Sequence, residues 1–282
     1  MTLSQLSPTG RFEKILVASD KSEYTESAEQ LAIDLAKITG AHLTIMNMVL
    51  SNPEYDVLAA DLLAKKEQET SDFLLNFKNK AEKQGVVCEP LLMRGLYPHD
   101  EILEAAEKIN ADLIIMGRRG HRGLARLMVG DATARVVAEA RCQVLVVPRH
   151  TNLWKKRILL ATDGSRFSDA AAVTACILAK LTEVPLIVMN ACVNTSYENL
   201  CIESERIIAR VVQHANAQGV TTEASIIEGQ PVQAILDAIQ RQNVDLLIGG
   251  SHGKTGMKKV FLGSVMERVI GKATCPVLTV KG

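Results

Sequence analysis

The residues best suited to chemistry are three glycines and a serine, Gly250, Gly253, Gly263 and Ser264, spaced Gly-x2-Gly-x9-Gly-Ser. Glycine lets backbone N–H groups approach a ligand with no Cβ in the way. A helix expected over 265–270 would present unpaired N–H groups and a partial positive charge at its start. Ser264, expected as its N-cap, adds a hydroxyl in the same place. Phosphate is the anion such an arrangement suits. The stretch also reads as an ordinary glycine-rich connection capped by serine. It is not a P-loop, because that pattern needs glycine where Ile248 stands.

Length and composition bound the rest. The 282 residues suit about two domains, and 47% hydrophobic with 23% charged residues is ordinary for a globular protein. Lys+Arg and Asp+Glu are both 32, so no global basic surface argues for nucleic acid as a partner. No apolar run approaches the ~20 residues of a membrane span, and the polar start lacks a signal-peptide core. The 6 cysteines include no C-x-x-C pair, so free thiols in a reducing cytoplasm are expected. The histidines lack metal-ligand spacing, and no structural metal is expected.

The elements that must hold the glycine stretch alternate along the chain. Strands are expected at 15–19, 41–48, 86–93, 112–116 and 144–147. Between them, helices show apolar faces at Ala28, Leu31, Ala32 and Leu35, and at Ile102, Ala105, Ala106 and Ile109. A long helix is expected over about 57–84, ended by Gly85, and another over 131–140. The order then repeats: strands at 157–162, 185–190, near 228, 245–249 and 277–280. The later helices carry Ala171, Ala175, Leu178 and Ala179, then Val232, Ile235, Leu236 and Ile239. Asp112, Gly117, Gly120, Gly130 and Cys142 recur at one constant offset as Asp245, Gly250, Gly253, Gly263 and Cys275. Asp20 and Asp163 lie further apart, which places extra residues of the first half around 52–60. The chain is a duplication.

Alternating strands and helices imply two tandem Rossmann-like α/β domains, expected at 1–148 and 149–282. Each should be a five-stranded parallel sheet with helices on both faces. Ligands bind such sheets beyond the strand C-termini, where the strand order reverses. Asp20, Asp163 and both glycine loops are placed there.

A strand-ending Asp followed by Gly-x2-Gly-x9-Gly-Ser resembles the universal stress protein family, in its tandem form and its ATP-binding branch. The resemblance covers about 11–147 and 155–280. It implies that Ala161 and Asp163 lie by adenine and ribose, that Ala191 lines the base, and that Gly250 and Gly253 let backbone wrap ribose and phosphates. Gly263, Ser264 and Val265 would donate to the phosphate chain, with Mg²⁺ neutralising ATP. Lys254, Lys258 and Lys259 either add positive charge or are solvated. Pairing of the halves through their last strands as an internal pseudo-dimer, or a homodimer, is also implied.

In the first half Asp20, Gly117, Gly120 and Gly130 match the pattern more weakly, since Asp131 replaces the serine. Two unit charges about 4 Å apart repel by roughly 4 kcal/mol at an effective dielectric near 20. Weaker nucleotide binding is therefore expected there, unless Arg118, Arg119, Arg122 and Arg126 offset the charge. Asp131 is also expected as a helix N-cap.

Three functions are compatible with this reading. One is a cytoplasmic ATP-binding regulator of the stress response. A second is a weak ATP hydrolase or nucleotidyl-transferring enzyme, for which His252 is the candidate base. A scaffold that binds no ligand is the third. Binding is favoured, because no adenylating-enzyme motif accompanies the loop.

Overall fold

The computed structural model describes residues 11–52, 56, 59–118, 129–192, 197–253 and 263–282, the side chains of 197–201 excepted. Among the described residues two compact units are present, 12–118 with 130–152, and 153–282. The N-terminal unit runs β1 (Lys14–Ala18), α1 (Glu26–Thr39), β2 (His42–Leu50), α2 (Ala60–Lys83) and β3 (Cys88–Gly95). It continues with α3 (Pro98–Ile109), β4 (Leu113–Gly117), α4 (Asp131–Glu139) and β5 (Gln143–Val147). Its strands are parallel, in the order β3-β2-β1-β4-β5. The C-terminal unit runs β6 (Ile158–Ala161), α5 (Arg166–Thr182), β7 (Leu186–Cys192), α6 (Tyr197–Ala217) and β8 (Thr222–Glu228). Then come α7 (Pro231–Arg241), β9 (Leu246–Gly250), α8 (Ser264–Lys272) and β10 (Val277–Val280). These strands are parallel too, in the order β10-β9-β6-β7-β8. The two tandem Rossmann-like sheets are as expected. In each, the strand order reverses beside the first strand.

The central strands are apolar on both faces because helices must cover both. Ile15, Leu16, Val17, Leu246, Leu247 and Ile248 are fully buried. The expected faces of α1 and α5 are buried as well. On α7 the buried set is Ala234, Ile235, Ala238 and Ile239, so the face is turned from the expected one. Small alanines let that helix lie closer, leaving Val232 and Leu236 half-exposed.

Two strands, β4 and β9, shift by one residue at both ends, each shift for a physical reason. Gly117 and Gly250 are paired with Val147 and Val280, so they close β4 and β9 instead of opening loops. Asp112 and Asp245 precede those strands, and their carboxylates gather backbone N–H groups from the chain entering the neighbouring strand. Asp245 accepts from Lys155, Lys156 and Arg157 at 2.7, 2.8 and 2.9 Å. Asp112 accepts from Glu13 and Lys14, both at 2.9 Å. The recurrence of this Asp therefore serves the scaffold.

Among the described residues no helix is long and apolar enough to cross a membrane. Cys88, Cys176 and Cys275 are free and buried, and desolvation pushes each thiol up to about 12. A thiolate is the reactive form. In the folded protein at pH 8 these three should resist a thiol reagent, while half-buried Cys142 and Cys192 react before them. Mass spectrometry of the labelled peptides measures this; fast labelling of Cys176 without denaturant would contradict it.

Candidate functional site

In the C-terminal unit the site begins where β6 ends. The chain turns at Gly164, whose φ of 77° lies in the left-handed region that suits glycine. The Ser165 N–H donates to Asp163 Oδ1 at 3.0 Å, which fixes the carboxylate beside the turn. Ser165 then caps α5, its hydroxyl accepting from the Ser168 N–H at 3.2 Å. Thr162 donates to the Ser168 hydroxyl at 3.1 Å, and the Asn190 amide donates to the Thr162 carbonyl at 2.7 Å. Together these bonds lock the first turn of α5 to the ends of β6 and β7. Ala161 and Ala191 are both half-buried at those ends.

The glycine stretch comes in from β9. A Cβ on Gly250 would sit 2.7 Å from the Phe167 carbonyl carbon and 2.8 Å from the Ser168 nitrogen. A Cβ on Gly253 would sit 2.8 Å from Asp163 Oδ2. The Gly263 N–H donates to the Ser251 carbonyl at 2.9 Å, closing the stretch on itself, and a Cβ on Gly263 would meet that carbonyl oxygen at 3.2 Å. Asp163, Gly253 and Gly263 are therefore brought together. Lys254, Lys258 and Lys259 fall outside the described residues.

One detail of the expected cap is corrected. Gly263, not Ser264, is the N-cap of α8; Ser264 is the first helical residue, exposed, with no side-chain cap bond. The same holds in the N-terminal unit, where Gly130 caps α4 and Asp131 begins it. Glycine at the cap has the extended backbone the position needs but no side chain to satisfy the first N–H groups. In both helices the cap residue thus offers no side-chain acceptor to the first turn.

The repeat extends to the hydrogen bonds. Gly130 N–H donates to the Arg118 carbonyl at 3.1 Å, as Gly263 does to Ser251. Asp20 holds Ser22 through its backbone N–H at 3.1 Å and its hydroxyl at 2.5 Å, as Asp163 holds Ser165. Asp20, Gly117, Gly130 and Asp131 line a cavity of about 960 Å³ beyond β1 and β4. Gly120 and the loop arginines Arg119, Arg122 and Arg126 fall outside the described residues. The Asp131 side chain is 83% exposed and pairs with Arg135 Nε at 3.4 Å. Arg135 Nη1 also lies 3.3 Å from His99 Nε2.

Sequence reasoning missed several groups. Met46-Asn47 and Met189-Asn190 recur with the same spacing as Asp20 and Asp163, and that signal marks the asparagines. His252, already named from sequence as the candidate base, packs its ring on Phe167 at 4.9 Å, shares a bond with Ser251 Oγ at 3.0 Å, and buries an Nε2 that has no partner among the described residues. Glu29 had no signal beyond lying on the buried face of α1. It accepts from Ser19 Oγ at 2.6 Å and Thr25 Oγ1 at 3.3 Å beneath the N-terminal cavity.

Burial raises the Glu29 carboxyl above its ordinary 4.5, against the lowering effect of those hydroxyls. The unfolded chain then releases this proton at lower pH than the fold does. The contribution of Glu29 to stability is fullest below pH 4.5 and declines as pH rises toward the folded value. Glu29→Gln keeps an acceptor and removes the charge. Its melting temperature should rise relative to the wild type as pH goes from 4 to 7; a pH-independent difference would contradict the assignment.

The universal stress protein family model matches residues 11–148 and 155–281. A universal stress protein of Methanocaldococcus jannaschii is 34% identical over 145 residues, which are 49% of this chain and 83% of that protein. The crystal structure of a universal stress protein from Archaeoglobus fulgidus superposes with a TM-score of 0.76 at 22% identity, covering 95% of this chain and 98% of its own. Another from the same organism, solved in complex with dAMP, is matched at 21% identity over 46% of this chain and 99% of its own, with a TM-score of 0.39.

Proposed function

The chain belongs to the universal stress protein family, and on that premise we propose that its C-terminal unit binds an adenine nucleotide, ATP with Mg²⁺, as a stress-response regulator. One observation carries the reading: Gly253 leaves open the space against the Asp163 carboxylate that a Cβ would fill at 2.8 Å. Asp163 there accepts ribose hydroxyls, with Ala161 and Ala191 against the base. Beyond it, Gly263, Ser264 and Val265 present N–H groups at the start of α8, where the helix dipole favours phosphate. Among the described residues no cluster of three ligating side chains exists, so Mg²⁺ would be held by phosphate oxygens and water. Occupancy of this site, in a cytoplasmic protein without turnover, is the signal that partners read.

The experiment has two parts. Small molecules released when the purified protein is denatured are identified, and ATP is titrated by calorimetry. Gly253→Ala pushes its methyl into the Asp163 carboxylate and should weaken ATP at least tenfold, about 1.4 kcal/mol. Equal affinity in the variant would refute the placement. Phosphate release well above that of a His252→Ala variant would replace binding with hydrolysis.

A further inference from the structure

We infer that the cavity of the N-terminal unit takes an uncharged nitrogen heterocycle, a nucleoside such as adenosine rather than its phosphorylated forms. The inference rests on the adenine-binding reading of the family fold above. It starts from the cavity walls. Met48, Leu50, Leu96, Tyr97 and Met116 line the cavity. Where Met48, Leu96, Tyr97 and Met116 stand, the repeat places Ala191, Gly229, Gln230 and Gly249 in the C-terminal unit. Four positions that are small or polar in one unit are thus large and mostly apolar in the other. Flat ring faces pack well on such walls, and thioethers make favourable contacts with aromatic edges.

A second, independent observation lies deeper. Asn47 is 4% exposed and lines the cavity, yet its Nδ2 has no hydrogen-bond partner among the described residues. Its counterpart Asn190 is satisfied, donating to the Thr162 carbonyl. A buried donor left unpaired is unfavourable, and native structures rarely retain one without use. A ring nitrogen or carbonyl of a heterocycle supplies the missing acceptor. Asp20, which also lines the cavity, is a carboxylate suited to hydroxyl donors of a sugar.

Among the described residues, the lining charges disfavour phosphate. Asp20, Asp100, Asp131 and Glu139 line the cavity against Lys21 and Arg135. Both of these described cations are already engaged: Lys21 donates to Thr70 Oγ1 at 3.0 Å, and Arg135 lies between Asp131 and His99. Asp131 also occupies the first position of α4, where the other unit has Ser264. An anion entering here meets carboxylates, while a neutral ring meets sulfur and hydrocarbon.

The test uses the full chain with ¹³C-labelled methionine methyl groups. Adenosine should shift the Met48 and Met116 resonances, and ATP at the same concentration should leave them in place. Asn47→Leu should weaken adenosine by about tenfold or more. The exposed Asp131→Ser substitution, which leaves the core untouched, should let ATP shift the same two signals. Adenosine that leaves Met48 and Met116 unmoved at millimolar concentration overturns the inference. So does ATP that shifts them as readily as adenosine in the wild type, or an Asn47→Leu variant with unchanged affinity. Failure of the nucleotide reading shows separately, as calorimetric ATP uptake that Gly253→Ala does not change.

Discussion

Gly250→Val should cost the C-terminal unit about 3 kcal/mol or more, enough to abolish the soluble fold of a marginally stable domain. The obstruction is backbone. A Cβ at this position would lie 2.7 Å from the Phe167 carbonyl carbon and 2.8 Å from both Phe167 Cβ and the Ser168 nitrogen. Side chains can rotate away from a close contact, but here the whole first turn of α5 would have to retreat. That turn is held by the Ser165 cap, by the Thr162–Ser168 hydroxyl pair and by Asn190 behind Thr162. Gly250 cannot retreat either, because it is the last rung of β9 against Val280. Urea denaturation followed by circular dichroism measures the loss. A variant within about 1 kcal/mol of the wild type would mean that α5 can slide from β9, contrary to the close contact.

The comparison with Gly253 separates two duties that the sequence presented as one motif. Both glycines were legible as positions where backbone must pass close to something. At Gly253 that something is the Asp163 carboxylate, inside the candidate site; at Gly250 it is a neighbouring helix. Spacing cannot distinguish these, because the partner comes from a segment far away in sequence. The strand and helix order was legible because hydrophobic period and breakers are local, and the duplication made each half check the other. The recurring Asp112 and Asp245 showed the duplication but not their task, which is to tie down backbone N–H groups. Helix caps shifted by one residue because a glycine with extended φ and ψ takes the cap position at little cost relative to serine. The N-terminal cavity was the least legible feature. Its walls come from strand ends and the start of α3, and only the folded sheet brings Met48, Leu96 and Met116 to one place.

Trp154→Ala should destabilise the C-terminal unit by about 3–5 kcal/mol, the usual loss for truncating a buried large aromatic side chain. Trp154 stands in what reads from sequence as a linker, yet it is 1% exposed. Its indole N–H donates to Thr182 Oγ1 at 3.3 Å, and Thr182 in turn donates to the Leu178 carbonyl at 2.7 Å. The ring therefore seals the last turn of α5, at the end of the helix opposite to Asp163. The next three residues are tied to Asp245, so the backbone cannot collapse into the space left by alanine. Because the chain has 1 tryptophan, wild-type fluorescence reports the unfolding of this unit alone. In the variant, hydrogen exchange of peptides from β6 to β9 takes its place. A ligand at 100 times its dissociation constant adds about 2.7 kcal/mol to the state that binds it. ATP should therefore restore more than half of the protection lost in Trp154→Ala, although Trp154 lies at the far end of α5. Protection that ATP leaves unchanged in both proteins would remove the nucleotide from this unit, whatever the cost of the substitution.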